Sequence, residues 1–293
     1  MRLRTFRSLS LGFALPVLCA AQAWDGASLA KGWARQDVTG ALTFRDGNTL
    51  RTWTKDGSLN GAVDISKVEG TPEFWVLDAW DNAWVATGTT LECVDKSGKL
   101  VRRDNLPATV ADLAWDSTGI YLSYRTETYY VEKRDYKRGD LLWSSGTKPR
   151  KGESPAPRLY RIASSGSGQL IMSLGADLNF MILNAANGKV AGQTALALAN
   201  APLPPLQAIA PDRMPLVTAE SGSVLLAALP ASQLAPAVKG NLTGLILAKA
   251  DLSKGTLELL ATGLDETVNL LGAQESEVCF SKPGGGLIFL PLK

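Results

Sequence analysis

Histidine is absent from the 293-residue sequence. That absence excludes Ser-His-Asp and Cys-His catalytic arrangements, zinc sites that need imidazole, and haem attachment through C-x-x-C-H. Cysteine is scarce, with only Cys19, Cys93 and Cys279. Long hydrophobic runs are missing as well. Beyond the N-terminus no stretch reaches the roughly 18 apolar residues that a membrane-spanning helix needs. Neither sign of charge dominates, with 30 basic and 28 acidic residues. What is present is a chain 45% hydrophobic and 20% charged, enough for a sizeable core and against wholesale disorder. Its length suits two domains or one large all-β array.

Residues 1–23 have the pattern of a secretory signal peptide. Arg2, Arg4 and Arg7 form a positive n-region, residues 9–21 an apolar h-region, and Ala21-Gln22-Ala23 an A-x-A cleavage site. The expected mature chain is 24–293, exported to a periplasmic or extracellular compartment. Cys19 follows the bulky Leu18, where a lipid-attachment motif needs a small residue. Losing the three arginines leaves 27 basic against 28 acidic residues, so no global field favours nucleic acid or an anionic membrane.

The mature chain is repetitive. Asp95-Lys96-Ser97-Gly98-Lys99-Leu100 shares its hairpin signal with segments around Gly57, Gly139, Gly188 and Gly255. The spacings of these glycines are 41, 41, 49 and 67 residues. Glycine supplies the positive φ such turns require, and the Asp or Asn ahead of it bonds its own backbone. Short runs rich in β-branched and aromatic residues flank the turns: 74–80, 83–87, 90–95 and 99–103 in one unit, then 110–115, 119–124, 128–133 and 140–143 in the next. Only the Ala-rich 194–201 suggests a helical turn.

Four-stranded units at this period predict an all-β fold, a six-bladed β-propeller of antiparallel blades. Residues 24–293 divide into six units of 45. No sixth Gly turn follows before Lys293, so the last sheet needs a strand from residues 27–33 to close its edge. The 67-residue spacing implies an insertion in the fifth unit, at 229–241. This register places Cys93 in the third strand of the second unit and Cys279 in the second strand of the sixth, as unpaired thiols.

Asp78-Ala79-Trp80-Asp81-Asn82-Ala83-Trp84-Val85-Ala86-Thr87 resembles the D-x-x-G-N-x-W-V-A-T step of NHL-like and SMP30/gluconolactonase-like propellers, with Asp81 where Gly is usual. The likeness covers about two of the six units and implies a fold more than an activity. SMP30-like lactonases hold a divalent cation with Glu, Asn and Asp side chains around the central channel. The resemblance therefore implies Ca²⁺ on Asp78, Asp112 and Asp116 as an alternative reading, that of a metal-dependent hydrolase. No Glu matches the family's ligand pattern. An Asp before a β-turn also has a plainer role, capping the turn.

Two further features suggest binding. The aromatics are concentrated in the first three units, and Trp80, Trp84, Trp115, Tyr121 and Tyr124 are candidates for a face that stacks on sugars or peptides. Wedge packing between blades is their competing role. A basic, Pro-rich segment, 133–158, contributes Lys148, Arg150 and Lys151 as candidates for an acidic partner. The first expectation is thus a non-catalytic, cofactor-free propeller that binds an unidentified protein or glycan.

Overall fold

The structure is a computed structural model. It describes residues 35–36, 42–53, 59–150, 160–165, 168–174, 179–195, 197–198, 216–218, 225–231, 243–273, 277–281 and 287–291. The described strands form six sheets. The first holds β1 (Arg35–Gln36), β2 (Leu42–Asp46), β3 (Thr49–Trp53) and β4 (Leu59–Asp64). The second holds β5 (Phe74–Leu77), β6 (Ala83–Thr87), β7 (Thr90–Val94) and β8 (Leu100–Asn105). The third holds β9 (Val110–Asp116), β10 (Gly119–Tyr124), β11 (Tyr130–Arg134) and β12 (Leu141–Gly146). The fourth holds β13 (Ile162–Ser164), β14 (Gln169–Ser173), β15 (Asn179–Asn184) and β16 (Val190–Ala195).

All four sheets are antiparallel meanders, as the spacing of strand-like runs predicts. The fifth sheet departs from the four-stranded plan. β18 (Leu216–Thr218), β19 (Leu225–Pro230), β20 (Leu245–Asp251) and β21 (Thr256–Leu264) form its meander, and β17 (Ala197–Leu198) adds a parallel edge strand to β21. The described residues of the stretch expected to turn helical, 194–195 and 197–198, are therefore strand: the first two end β16, and the edge of β21 offers partners to the backbone of the second two. The sixth sheet has three strands among the described residues: β22 (Asn269–Ala273), β23 (Glu277–Ser281) and β24 (Leu287–Pro291). The signal-peptide region, the closing segment 27–33, Gly57 and residues 232–242 of the expected insertion lie outside the described residues.

The Gly turns join the third and fourth strands of their sheets. Gly98, Gly139, Gly188 and Gly255 have φ of 82°, 64°, 70° and 66°. Asp95 Oδ1 accepts the Ser97 amide at 2.9 Å, and Asp135 Oδ1 accepts those of Lys137 and Arg138 at 2.8 Å. Asn184 and Asp251 repeat the device. Positive φ is half of the glycine requirement; close approach is the rest. A Cβ at Gly139 would lie 2.4 Å from Arg102 Nε on β8, and one at Gly188 would lie 2.5 Å from Trp143 Cε3 on β12. Each of these turns thus seats the fourth strand of the preceding sheet.

That fourth strand carries a bulge in each of the first four sheets, leaving Val101, Leu142 and Ala191, the second residue of their strands, and Gly61, the third residue of β4, unpaired. Bulges twist an outer strand away from edge-to-edge pairing. Val101 and Leu142 are exposed there, so the bulges accompany the apolar surface that most needs such protection.

First strands pack against one another in succession: β5 on β9, β9 on β13, β13 on β18, β18 on β22, and β22 on β1. The core lies between sheets. One cluster joins the second and third sheets through Trp84, Leu91, Trp115, Tyr124 and Tyr130. Another joins the third and fourth through Tyr121, Val131, Leu170 and Leu183. Cys93 is a free, buried thiol on β7, and burial pushes its pKa up to about 12. Cys279 stands on β23, as the repeat register requires.

Candidate functional site

In an antiparallel meander the first and third strands run the same way. Their exits share one end of the sheet. At that end the second and third sheets carry the same device. Asp78 follows β5, and Asp116 ends β9. Asp78 Oδ1 accepts the amides of Trp80 and Asn82 at 2.9 and 3.0 Å. Its Oδ2 accepts Asn82 Nδ2 at 3.1 Å and Trp84 Nε1 at 3.0 Å. Asp116 Oδ1 accepts the Thr118 amide at 2.7 Å, and its Oδ2 accepts the Tyr121 hydroxyl at 2.5 Å. Trp84 pairs with Val76, and Tyr121 with Ala114, each two residues before its Asp. The two aromatics are therefore equivalent donors to equivalent carboxylates.

Asp112 works differently. It lies near the start of β9, where Oδ1 accepts the Leu113 amide at 2.8 Å and Oδ2 the Ile162 amide at 3.1 Å, tying β9 to β13. Arg161 Nη1 stands 3.9 Å from the same carboxylate. Four residues of strand separate Asp112 from Asp116, about 13 Å, so the two do not converge. Among the described residues no group of three or more Cys, Asp or Glu side chains could hold a metal. The oxygens of Asp78, Asp112 and Asp116 are engaged by protein donors, and this donor set does not fit Ca²⁺.

Of the aromatic candidates, Trp84, Trp115, Tyr121 and Tyr124 are buried. They are packing residues and form no surface, because the wedge between sheets is filled from these positions. Tyr124 gives its hydroxyl to Glu132 at 2.7 Å. Trp80 is the exception: it is 51% exposed. Its ring meets Tyr136 edge-on at 5.1 Å and 72°, and Tyr136 meets Trp115 at 6.4 Å and 74°. Beneath Trp80, the buried Trp115 Nε1 and Tyr136 Oη have no hydrogen-bond partner of good geometry. Next to it, Asp81 is exposed and holds φ at 61°, the only positive φ of a non-glycine residue among the described residues. That is the position where the resembling motif has Gly.

The basic candidates stand elsewhere. Lys148 and Arg150 are exposed beyond β12, at the opposite end of the sheets from Trp80, and Lys151 lies outside the described residues. The connection from a fourth strand to the next first strand leaves from that opposite end. Trp80 thus forms no patch with Lys148 and Arg150; of the basic segment, Lys137 and Arg138 stand on the turn that carries Tyr136.

Two buried glutamates escaped the sequence reading, and Lys133, the first residue of the basic segment, is buried as well. Glu92, fully buried on β7, accepts Arg103 Nε at 2.7 Å and the Glu69 amide at 3.0 Å. Glu132 on β11 accepts Tyr124, Tyr130 and Arg134. Lys133 donates to Thr118 Oγ1 at 2.6 Å and to the Ala185 carbonyl at 2.7 Å, and burial lowers its pKa. Trp143 Nε1 donates to the same carbonyl at 3.1 Å, so the third sheet is fastened to the fourth at one oxygen. A signal existed for the glutamates: they precede Gly98 and Gly139 by six and seven residues.

No protein-family model and no curated protein matches this chain. Solved structures do. A chain of the mitotic checkpoint complex matches at 11% identity and a TM-score of 0.51, over 89% of this chain and 90% of that one. Hydrazine synthase of Kuenenia stuttgartiensis matches at 12% identity and a TM-score of 0.56, over 95% of this chain and 80% of that one. Both are propeller folds, and at these identities the likeness shows the fold alone: this chain is an all-β protein of propeller type. No helix among the described residues is long and apolar enough to cross a membrane.

Proposed function

We propose that this chain is an exported, non-catalytic six-bladed propeller that serves as a binding module. The six sheets are its blades, and a segment within residues 24–34 supplies a fourth strand to the last. The packing of β1 on β22 supports that closure, since β1 begins beside the sixth sheet. The left-handed backbone of Asp81, where the motif has Gly, supports kinship with NHL/SMP30-like propellers. Deleting residues 24–34 is expected to cost several kcal/mol, because a sheet edge loses its partner. An unchanged melting temperature would count against closure. Mass spectrometry of the exported protein tests the address; the expected N-terminus is Trp24.

One observation carries the binding reading over the metal hydrolase. The carboxylates offered as ligands are occupied by turn amides, indole and hydroxyl donors. The test is hydrolysis of lactones and simple esters with and without Ca²⁺. No turnover is expected. Ca²⁺-dependent hydrolysis that disappears in Asp78→Ala would replace this reading with the hydrolase.

A further inference from the structure

We propose that the Trp80–Asp81 turn is a saccharide site that takes one ring of a neutral sugar chain. The inference rests on the binding-module reading and adds the ligand class. The platform is pre-organised. Asp78 fixes the turn with three hydrogen bonds from Trp80 and Asn82, and Tyr136 and Trp115 buttress the indole from below. Holding the ring beforehand removes an entropic cost that binding would otherwise carry.

The chemistry matches a pyranose. Its C–H face stacks on an exposed indole, and its hydroxyls donate to a carboxylate beside it. Asp81 is such an acceptor: it is exposed, and its carboxylate makes no hydrogen bond or ion pair with a described residue. Asp81 holds φ at 61°, a left-handed backbone that Gly would relieve. Size separates a sugar from a protein. A protein partner needs about 800 Å² on each side around an apolar centre. Here one indole stands among polar turn residues, and the other large apolar groups exposed among the described residues, Val101, Leu141, Leu142 and Val190, are aliphatic and sit on fourth strands. Lys137 and Arg138 are exposed on the adjoining turn, which makes an acidic sugar the competing occupant.

The test uses the full mature chain with chitohexaose, cellohexaose, maltohexaose, mannohexaose and an oligogalacturonate, each to about 10 mM. Indole N–H signals are followed by NMR, with Trp80 assigned from Trp80→Phe. A neutral probe is expected to move the Trp80 signal and leave buried Trp84 in place. Trp80→Ala should abolish binding at unchanged melting temperature. Asp81→Gly, which suits the backbone, should weaken it about tenfold. No response of Trp80 to any neutral probe, or equal binding to Trp80→Ala, would overturn the inference. So would a preference for the oligogalacturonate. Ca²⁺-dependent hydrolysis would instead overturn the binding-module reading beneath it.

Discussion

Replacing Gly188 by Ala separates the two demands that the repeat turns place on glycine. The first is conformational. At φ 70° an alanine sits in the left-handed region, at a cost of about 1–2 kcal/mol. The second is steric. The new Cβ would lie 2.5 Å from Trp143 Cε3 and 2.8 Å from Cδ2. The indole cannot swing aside freely, since its Nε1 bond to the Ala185 carbonyl would break. Overpacking of this kind costs a further 1–3 kcal/mol or so, giving roughly 2–5 kcal/mol in total. Gly47→Ala is the reference: φ is 58° and nothing lies within 4 Å of its Cβ, so only the conformational cost remains. Gly98→Ala falls between, with Asp64 Cβ at 3.3 Å. Equilibrium unfolding in guanidinium chloride should rank the variants 188, 98, 47 in falling damage. In a Trp143→Ala background Gly188→Ala should lose most of its excess cost, a coupling of about 1 kcal/mol or more. Equal destabilisation at Gly188 and Gly47, or strict additivity with Trp143→Ala, would refute the seating of β12 on the next sheet's turn.

Three other outcomes follow from the same geometry. Trp84→Phe and Tyr121→Phe should each cost about 1.5–3 kcal/mol in thermal or chemical unfolding, because each removes one donor from a buried carboxylate, Asp78 or Asp116. Asp81→Gly should raise stability by up to about 1 kcal/mol by relieving its left-handed backbone; a loss in the same assay would mean that its side chain has a partner. Alkaline unfolding should begin above about pH 10. Burial raises the pKa of Tyr121, Tyr124, Tyr130 and Tyr136, the folded chain keeps protons that the unfolded chain releases, and stability falls as pH rises; the lowered pKa of Lys133 works the other way but is a single group. A pH-independent unfolding midpoint from pH 9 to about 12 would contradict the burial of those hydroxyls.

The sequence by itself determined the strand class, the period and the hairpins. Glycine with a preceding Asp or Asn is local chemistry, so Gly98, Gly139, Gly188 and Gly255 mark their turns without help from distant residues. The strand assignments of Cys93 and Cys279 followed from counting those turns. Tertiary structure decided the rest. Trp80 and Trp84 are four residues apart with the same side chain, yet one is exposed and one buried. A turn residue escapes the wedge, and a strand residue facing the neighbouring sheet fills it. Residues 197–198 became strand because β21 offered an edge. Lys133 is charged yet buried because the Ala185 carbonyl of the next sheet comes within 2.7 Å of it, a contact between residues 52 apart in sequence. Local periodicity fixes which way a side chain faces along its own strand. What stands opposite, protein or water, is set by how the sheets pack.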